Sequence, residues 1–343
     1  MAMTPGKRII VAELDRRAKL EPERVLAIYP KDNTLAEWQE VTFGDYAKAV
    51  DRMCAFLEPI IGRSTTFDTQ ALYGPPDMRY HFFLFACIKL GHKALFSAPR
   101  NSHVMQQHIL KAGECKTIFH DAKLDMPALL GDTKGYTLHK IPTLQEMLWA
   151  GDEPRHYEYT KTFDEAKMDP YIVLHTSGST GMPKPIIHRQ GWASAVDKGY
   201  HHPGHNGIPS TTSLISTGSD NRLYAPFPPF HVSGAELIMV PQITREVVWI
   251  WGPTDRLPSV EDVKTCCKAG RATTIGMPTQ LYKDFLNDKE GYEILKNMKC
   301  RGYGGGESAQ SLAASQIGYA NIATYRAHGP GGWRQALRLR PCA

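Results

Sequence analysis

From Thr42 onward apolar residues recur at helical spacing, and Phe43, Tyr46, Ala47, Val50, Met53, Cys54 and Leu57 share one face of a 3.6-residue period. Thr42 and Asp45 form a capping box at its start, so a helix is expected here. A short apolar run from Ala71 to Tyr73 stops at Gly74, Pro75 and Pro76. Asp77 then stands where it can cap a second helix with apolar positions Tyr80, Phe83, Leu84, Cys87 and Ile88, and Gly91 suits that helix's end. Lys93 to Ser97 reads as a short buried strand closed by Pro99. Strand, helix, strand is the grammar of a parallel sheet covered by helices, so the fold class is α/β. The more polar stretch from Gly131 to Lys167 shows no strong periodicity and is expected to be connecting structure.

Composition narrows the classes. The 343 residues are 42% hydrophobic and 22% charged, which is enough for one large domain or two ordinary ones and excludes a disordered polymer. Forty Lys and Arg against 35 Asp and Glu leave +5, without runs of like charge, so neither nucleic acid nor a membrane surface is expected as a partner. Seven cysteines form an odd set with no CxxC pair, which argues for reduced thiols rather than a disulfide framework or a zinc site. Near the N-terminus only Ile9 to Ala12 are apolar before charges resume, too few for a secretory core. The greasiest stretch, Phe82 to Phe96, is interrupted by Lys89, His92 and Lys93 and is far too short to span a bilayer. The expected location is cytoplasmic.

The chemistry starts at residues 171–185, YIVLHTSGSTGMPKP. The β-branched run Tyr171 to His175 feeds a loop of glycines and hydroxyl residues ending in Lys184. Gly178 and Gly181 let the backbone approach an anion closely, Thr176, Ser177, Ser179 and Thr180 supply hydroxyls, and Lys184 adds a positive charge. This composition favours a polyphosphate. A Walker A loop needs Gly before the Lys and Ser or Thr after it, whereas Pro183 and Pro185 hold those places.

Thr176 to Lys184 matches the [ST]SG[ST]TGxPK signature of the adenylate-forming superfamily, and the sequence resembles that family over roughly residues 10–306. The resemblance includes FFLFACIKLGHKALFSAPRNS (Phe82 to Ser102) and PPFHVSGA (Pro228 to Ala235). The segments around ALFSAPRNS and VLHTSGSTGMPKPIIH are most similar to the adenylation domains of fungal nonribosomal-peptide-synthetase-like carboxylic acid reductases. The resemblance implies the family's large N-terminal subdomain, with mixed and parallel sheets flanked by helices and incomplete at its C-terminus. It also implies an ATP-dependent ligase, using Mg2+ with its ATP. A carboxylic acid would be activated as an acyl-adenylate and passed to a phosphopantetheine thiol on a carrier protein, in secondary metabolism. An acyl-CoA or aryl-CoA ligase using the coenzyme A thiol, and a catalytically dead nucleotide-binding protein, remain as alternatives.

By the same resemblance, Thr176 to Gly181 and Lys184 would hold the β- and γ-phosphates. His231 would stand where carboxylate meets nucleotide and gate the thiol. Gly304, Gly305 and Gly306 would line the adenine and the acyl pocket, although three glycines also make an ordinary turn, and a lone His after two prolines is also a common structural residue. His201, His202 and His205 lie in a Gly- and Pro-punctuated loop without ligand-spaced Cys or carboxylates, so no metal site is expected. Adjacent Cys266 and Cys267 are assigned to packing. After Glu307 the family's [YF]G[ST]TE block, with its magnesium-binding acid, is missing. The last 36 residues instead hold four Arg and no Asp, Glu or Lys. Residues 307–343 are therefore expected to be a non-family tail, disordered or out of frame, that would impair activity.

Overall fold

The computed structural model describes residues 4–175, 182–202 and 221–304, and the backbone of two later strands, 322–326 and 334–335. The chain divides into two compact units: Met1–Arg24, Thr42–Asp197 and Pro228–Val240 form the first, and Val25–Val41, Lys198–Phe227 and Pro241–Ala343 the second. In chain order the strands are β1 (Val25–Pro30), β2 (Trp38–Thr42), β3 (Thr69–Tyr73), β4 (Lys93–Phe96), β5 (Thr117–His120), β6 (Thr137–Lys140), β7 (Pro170–His175), β8 (Pro185–Arg189), β9 (Arg222–Tyr224), β10 (Val248–Ile250), β11 (Thr274–Pro278), β12 (Cys300–Gly304), β13 (Ile322–Arg326) and β14 (Arg334–Gln335).

The first unit is built on a six-stranded sheet ordered β6-β5-β3-β4-β7-β8. Its neighbours run parallel except for β7 and β8, which form an antiparallel hairpin. Chain order reverses about β3, with β4 on one side and β5 on the other. Loops therefore diverge at the carboxyl ends of these strands, where open α/β sheets gather their ligands.

Helices α1 (Ile10–Leu20), α2 (Phe43–Ile61) and α3 (Arg79–Leu90) belong to this unit. The expected capping box starts α2: Thr42 Oγ1 accepts the Asp45 N–H at 3.1 Å, and the Asp45 carboxylate accepts the Thr42 N–H at 3.0 Å. All seven apolar positions read from its sequence are buried. Every residue of α3 is buried, which is why its sequence is apolar on all sides. Its polar exceptions are partnered: Arg79 with Asp77 and Asp121, His81 with the Tyr46 hydroxyl, and Lys89 with Asp15 and Asp51. The Asp77 carboxylate accepts the Arg79 N–H at 2.9 Å, one residue ahead of the boundary residue Met78. Gly91 ends the helix in the left-handed region at φ 80°.

The stretch from Gly131 to Lys167, expected to be connecting structure, holds β6 and two short helices, Leu144–Trp149 and Phe163–Ala166. Elements of four to six residues are too short to display a period. Their signal was in the caps, where Thr143 pairs with Glu146 and Thr162 with Glu165.

The second unit carries an eight-stranded sheet ordered β14-β13-β12-β11-β9-β10-β1-β2. From β1 through β10, β9, β11 and β12 to β13 the neighbours run parallel, and β14 pairs antiparallel with β13. Cys266 and Cys267 both lie in this unit's core with Tyr224, Ile250, Ile275 and Phe285. Burial pushes the Cys266 thiol up to about 12, which suits packing and not nucleophilic work. No helix among the described residues is long and apolar enough to cross a membrane.

Candidate active site

Strand β7 enters the sheet because Tyr171, Ile172, Val173 and Leu174 are all buried. Its antiparallel register with β8 sets His175 opposite Pro185, so residues 176–184 connect the two strands at a carboxyl end of the parallel sheet. Thr176 to Gly181 lie outside the described residues. Lys184 stands exposed at the foot of β8.

His175 is held at the mouth of that loop by a chain of hydrogen bonds. The Asn101 amide lies 3.3 Å from His175 Nε2 and donates to Ser97 Oγ at 3.1 Å. Ser97 donates in turn to Gln106 Oε1 at 2.6 Å, an oxygen that also accepts the Tyr73 hydroxyl at 2.9 Å. Gln106 and Ser97 are fully buried, so the chain ties the ends of β3, β4 and β7 together in a low-dielectric interior. Sequence reading missed this relay because its members look like ordinary loop and helix polar residues until the sheet brings them together.

His231 follows the turn closed by its own N–H on the Pro228 carbonyl at 3.0 Å. Its Nδ1 accepts the Ser233 N–H at 3.3 Å and lies 3.1 Å from Ser233 Oγ. An Nδ1 that accepts from a backbone N–H carries no proton, so the other ring nitrogen is the donor. Although His231 lies at the surface, desolvation by the protein groups packed around its ring depresses its pKa, and electrostatic contributions from His175 and Arg100 act in the same direction. The shift favours the neutral imidazole. His231, His175 and Arg100 are near enough to interact electrostatically within the first unit.

Just beyond His231 the chain takes a π-helical turn, Ser233–Ile238, with Glu236 fully buried inside it. Its carboxylate accepts from the Tyr171 hydroxyl, from His188 Nδ1 at 2.8 Å and from Trp192 Nε1 at 3.0 Å. Burial and the neighbouring carboxylate push the Tyr171 phenol far above its ordinary range. Sequence reading did not single out Glu236. Phe230, on the same stretch, packs against Tyr80 with ring centroids 5.7 Å apart.

Of the expected glycines, Gly304 ends β12 opposite Pro278, and among the described residues a Cβ added there would meet nothing within 4 Å. That open approach belongs to the second unit. Gly305 and Gly306 lie outside the described residues. Of the histidine cluster, His205 also lies outside them, while His201 Nδ1 is 2.7 Å from an Arg245 guanidinium nitrogen, a cationic neighbour ill suited to a metal ligand. Among the described residues no three His, Cys, Asp or Glu gather as a metal cage.

With the sheet order, the β7–β8 loop and His231 established, comparison with known proteins decides the family. The AMP-binding enzyme model matches residues 14–321. The chain belongs to the AMP-binding enzyme family. Family membership accounts for the agreement between the loop signature and the two-sheet architecture. A carboxylic acid reductase of Neurospora crassa is 28% identical over 326 residues, covering 92% of this chain and 31% of that protein. An isocyanide synthase-NRPS hybrid, crmA, of Aspergillus fumigatus is 29% identical over 303 residues, covering 86% of this chain and 19% of that protein. The N-terminal subdomain of Klebsiella oxytoca NpsA superposes with a TM-score of 0.72 at 17% identity, covering 93% of this chain and 74% of its own. The chain therefore spans less than a third of the length of these two curated relatives.

Proposed function

We propose that this chain binds ATP and activates a small carboxylic acid as its acyl-adenylate, for transfer to a phosphopantetheine thiol on a carrier domain. The observation that carries the reading is the β7–β8 register, which sets His175 opposite Pro185 at the carboxyl end of β7 so that the signature residues 176–184 join the two strands, with His231 in the same unit. The carboxylate oxygen attacks the α-phosphate and pyrophosphate leaves. The thiol sulfur then bonds to the acyl carbon as the bond to AMP breaks. Thr176, Ser177, Gly178, Ser179, Thr180, Gly181 and Lys184 would steady the departing β- and γ-phosphates by amide, hydroxyl and ammonium donors. His231, with Nδ1 engaged by Ser233, has its other nitrogen available to donate to the carboxylate or the developing adenylate. Gly304, Gly305 and Gly306 would give the adenine a close backbone approach.

Mg2+ enters as the counter-ion of the ATP substrate, held mainly by its phosphates, and no step is routed through a protein cage. A carboxylic acid reductase and an NRPS hybrid among the relatives support a carboxylic acid as the substrate and a nonribosomal-peptide-synthetase-like setting.

The test combines ATP binding by calorimetry with ATP–pyrophosphate exchange over aryl, α-keto and fatty acids. Exchange with at least one acid is expected, falling about 100-fold in Lys184→Ala. The adenylate is then offered a carrier phosphopantetheine and coenzyme A, and faster turnover with coenzyme A would reassign the acceptor. Binding without exchange would make the chain a nucleotide-binding protein, and absence of ATP binding would refute the proposal.

A further inference from the structure

Glu236 joins three elements that sequence keeps apart. Tyr171 lies in β7 ahead of residues 176–184, His188 lies in β8 behind them, and Trp192 sits on the helix Gln190–Tyr200 that follows. All three donate to this one buried carboxylate. It lies in a π-helical turn, a rare conformation whose i→i+5 bonding needs outside support. On the α3 side, the buried His81 has its Nδ1 2.9 Å from the Tyr46 hydroxyl and its ring in electrostatic reach of the Gly234 backbone. The π turn is thus bordered on one side by the core helix and held on the other by both strands flanking the loop.

We propose that Glu236 is a positioning residue: it fixes the turn bearing His231 to β7 and β8, the strands on either side of residues 176–184, so that His231 and the ends of these two strands hold one geometry. The proposal rests on the reading of residues 176–184 and His231 as parts of one adenylation site. A carboxylate suits this task because it accepts from three donors at once, whereas an amide at the same place offers one acceptor oxygen and adds two N–H groups that clash with the donors of Tyr171, His188 and Trp192. Loosening the anchor lets the turn move while β7 and β8 stay paired through their own ladder.

The test uses the full chain labelled with 15N-histidine, following the His231 titration by NMR and ATP binding by calorimetry. In Glu236→Gln the His231 midpoint is expected to rise toward the ordinary value near about 6.5, and ATP affinity to fall about tenfold. The sign is informative, since removing a negative charge alone would lower the midpoint. The groups facing His231, namely His175 and Arg100, are unchanged in the variant, so a rise reports that the ring has moved away from the protein groups that desolvate it. Trp192→Phe, which removes one donor and keeps the carboxylate, should shift both readouts in the same direction by less. Asp262→Asn, a cap in the second unit, is the control for lost stability and should move neither readout.

If Glu236→Gln and Trp192→Phe melt earlier, as the control does, yet leave the titration and the ATP affinity unchanged, Glu236 is structural only and the proposal is overturned. If Glu236→Gln does not fold, Trp192→Phe and His188→Gln decide by the same readouts. If the unmodified chain binds no ATP, the adenylation reading fails; the His231 titration still decides the anchoring, and an unmoved midpoint in the variants would refute it as well.

Discussion

Lys89 has no exposed side-chain surface and sits between two carboxylates, 2.8 Å from Asp15 and 2.9 Å from Asp51. Its neighbours raise its pKa against the opposing effect of burial, while burial raises that of Asp15 against the pull of Lys89. The signs of the two shifts have opposite consequences at neutral pH. A raised lysine contributes stability below its unfolded pKa, and that contribution is lost only as pH climbs through the still higher folded value. A raised aspartate favours the folded state when protonated, so its ionised form is a cost at pH 7 that Lys89 offsets. Replacing Lys89 with Met should therefore cost about 3–5 kcal/mol at neutral pH, because Asp15 loses its cation and Asp51 keeps only His156 and the Tyr157 N–H. The loss should shrink in acid as the Asp15 carboxyl, whose pKa is raised, takes up its proton. Urea unfolding at neutral and acid pH measures this, and an undiminished loss in acid would assign the effect to packing alone.

Helix α3 shows how one residue lets an element end where the next must begin. At Gly91, with φ 80°, an added Cβ would lie 2.0 Å from the Ser64 carbonyl oxygen, a backbone atom that cannot swing aside. Gly91→Ala is expected to cost roughly 2 kcal/mol or more, combining left-handed strain with the collision. Gly199 is the contrast: it is helical and a Cβ there meets nothing within 4 Å, so Gly199→Ala should be stabilising by about 0.5–1 kcal/mol. Thermal unfolding of the two variants checks both signs, and a neutral Gly91→Ala would mean that the Ser64 segment yields. At this scale much was legible. The period of α2, its Thr42–Asp45 box, the Gly91 stop and the strand Tyr171 to His175 are local patterns, and all stand in the structure. The π turn was not legible, because its support comes from Tyr171, 65 residues away in sequence, and His188, 48 away. No window of hydrophobic periodicity reaches across such a gap. The Tyr73–Gln106–Ser97–Asn101–His175 relay was hidden for the same reason.

For the whole molecule, the composition changes after Glu307, and the backbone of residues 322–326 beyond that change pairs with the second sheet. Strand β13 runs parallel to β12, with Arg301 opposite Ile322 and Gly304 opposite Tyr325. The family model reaches residue 321, past the composition change. If the pairing contributes in solution, a chain ending at Gly304 makes β12 an edge strand, and the N–H groups of its outer side exchange with solvent. Hydrogen exchange should then show residues 300–304 losing protection in the 1–304 chain, while β7 in the first unit keeps its own. The melting temperature of the second unit should fall by about 2–4 °C for each kcal/mol the strand supplied. Unchanged protection at 300–304 would mean that residues 307–343 are appended to the sheet without stabilising it, the behaviour expected of sequence not selected for this fold. Lost protection would mean that the backbone ladder forms despite the composition, because parallel pairing draws on main-chain groups that every residue but proline carries in full.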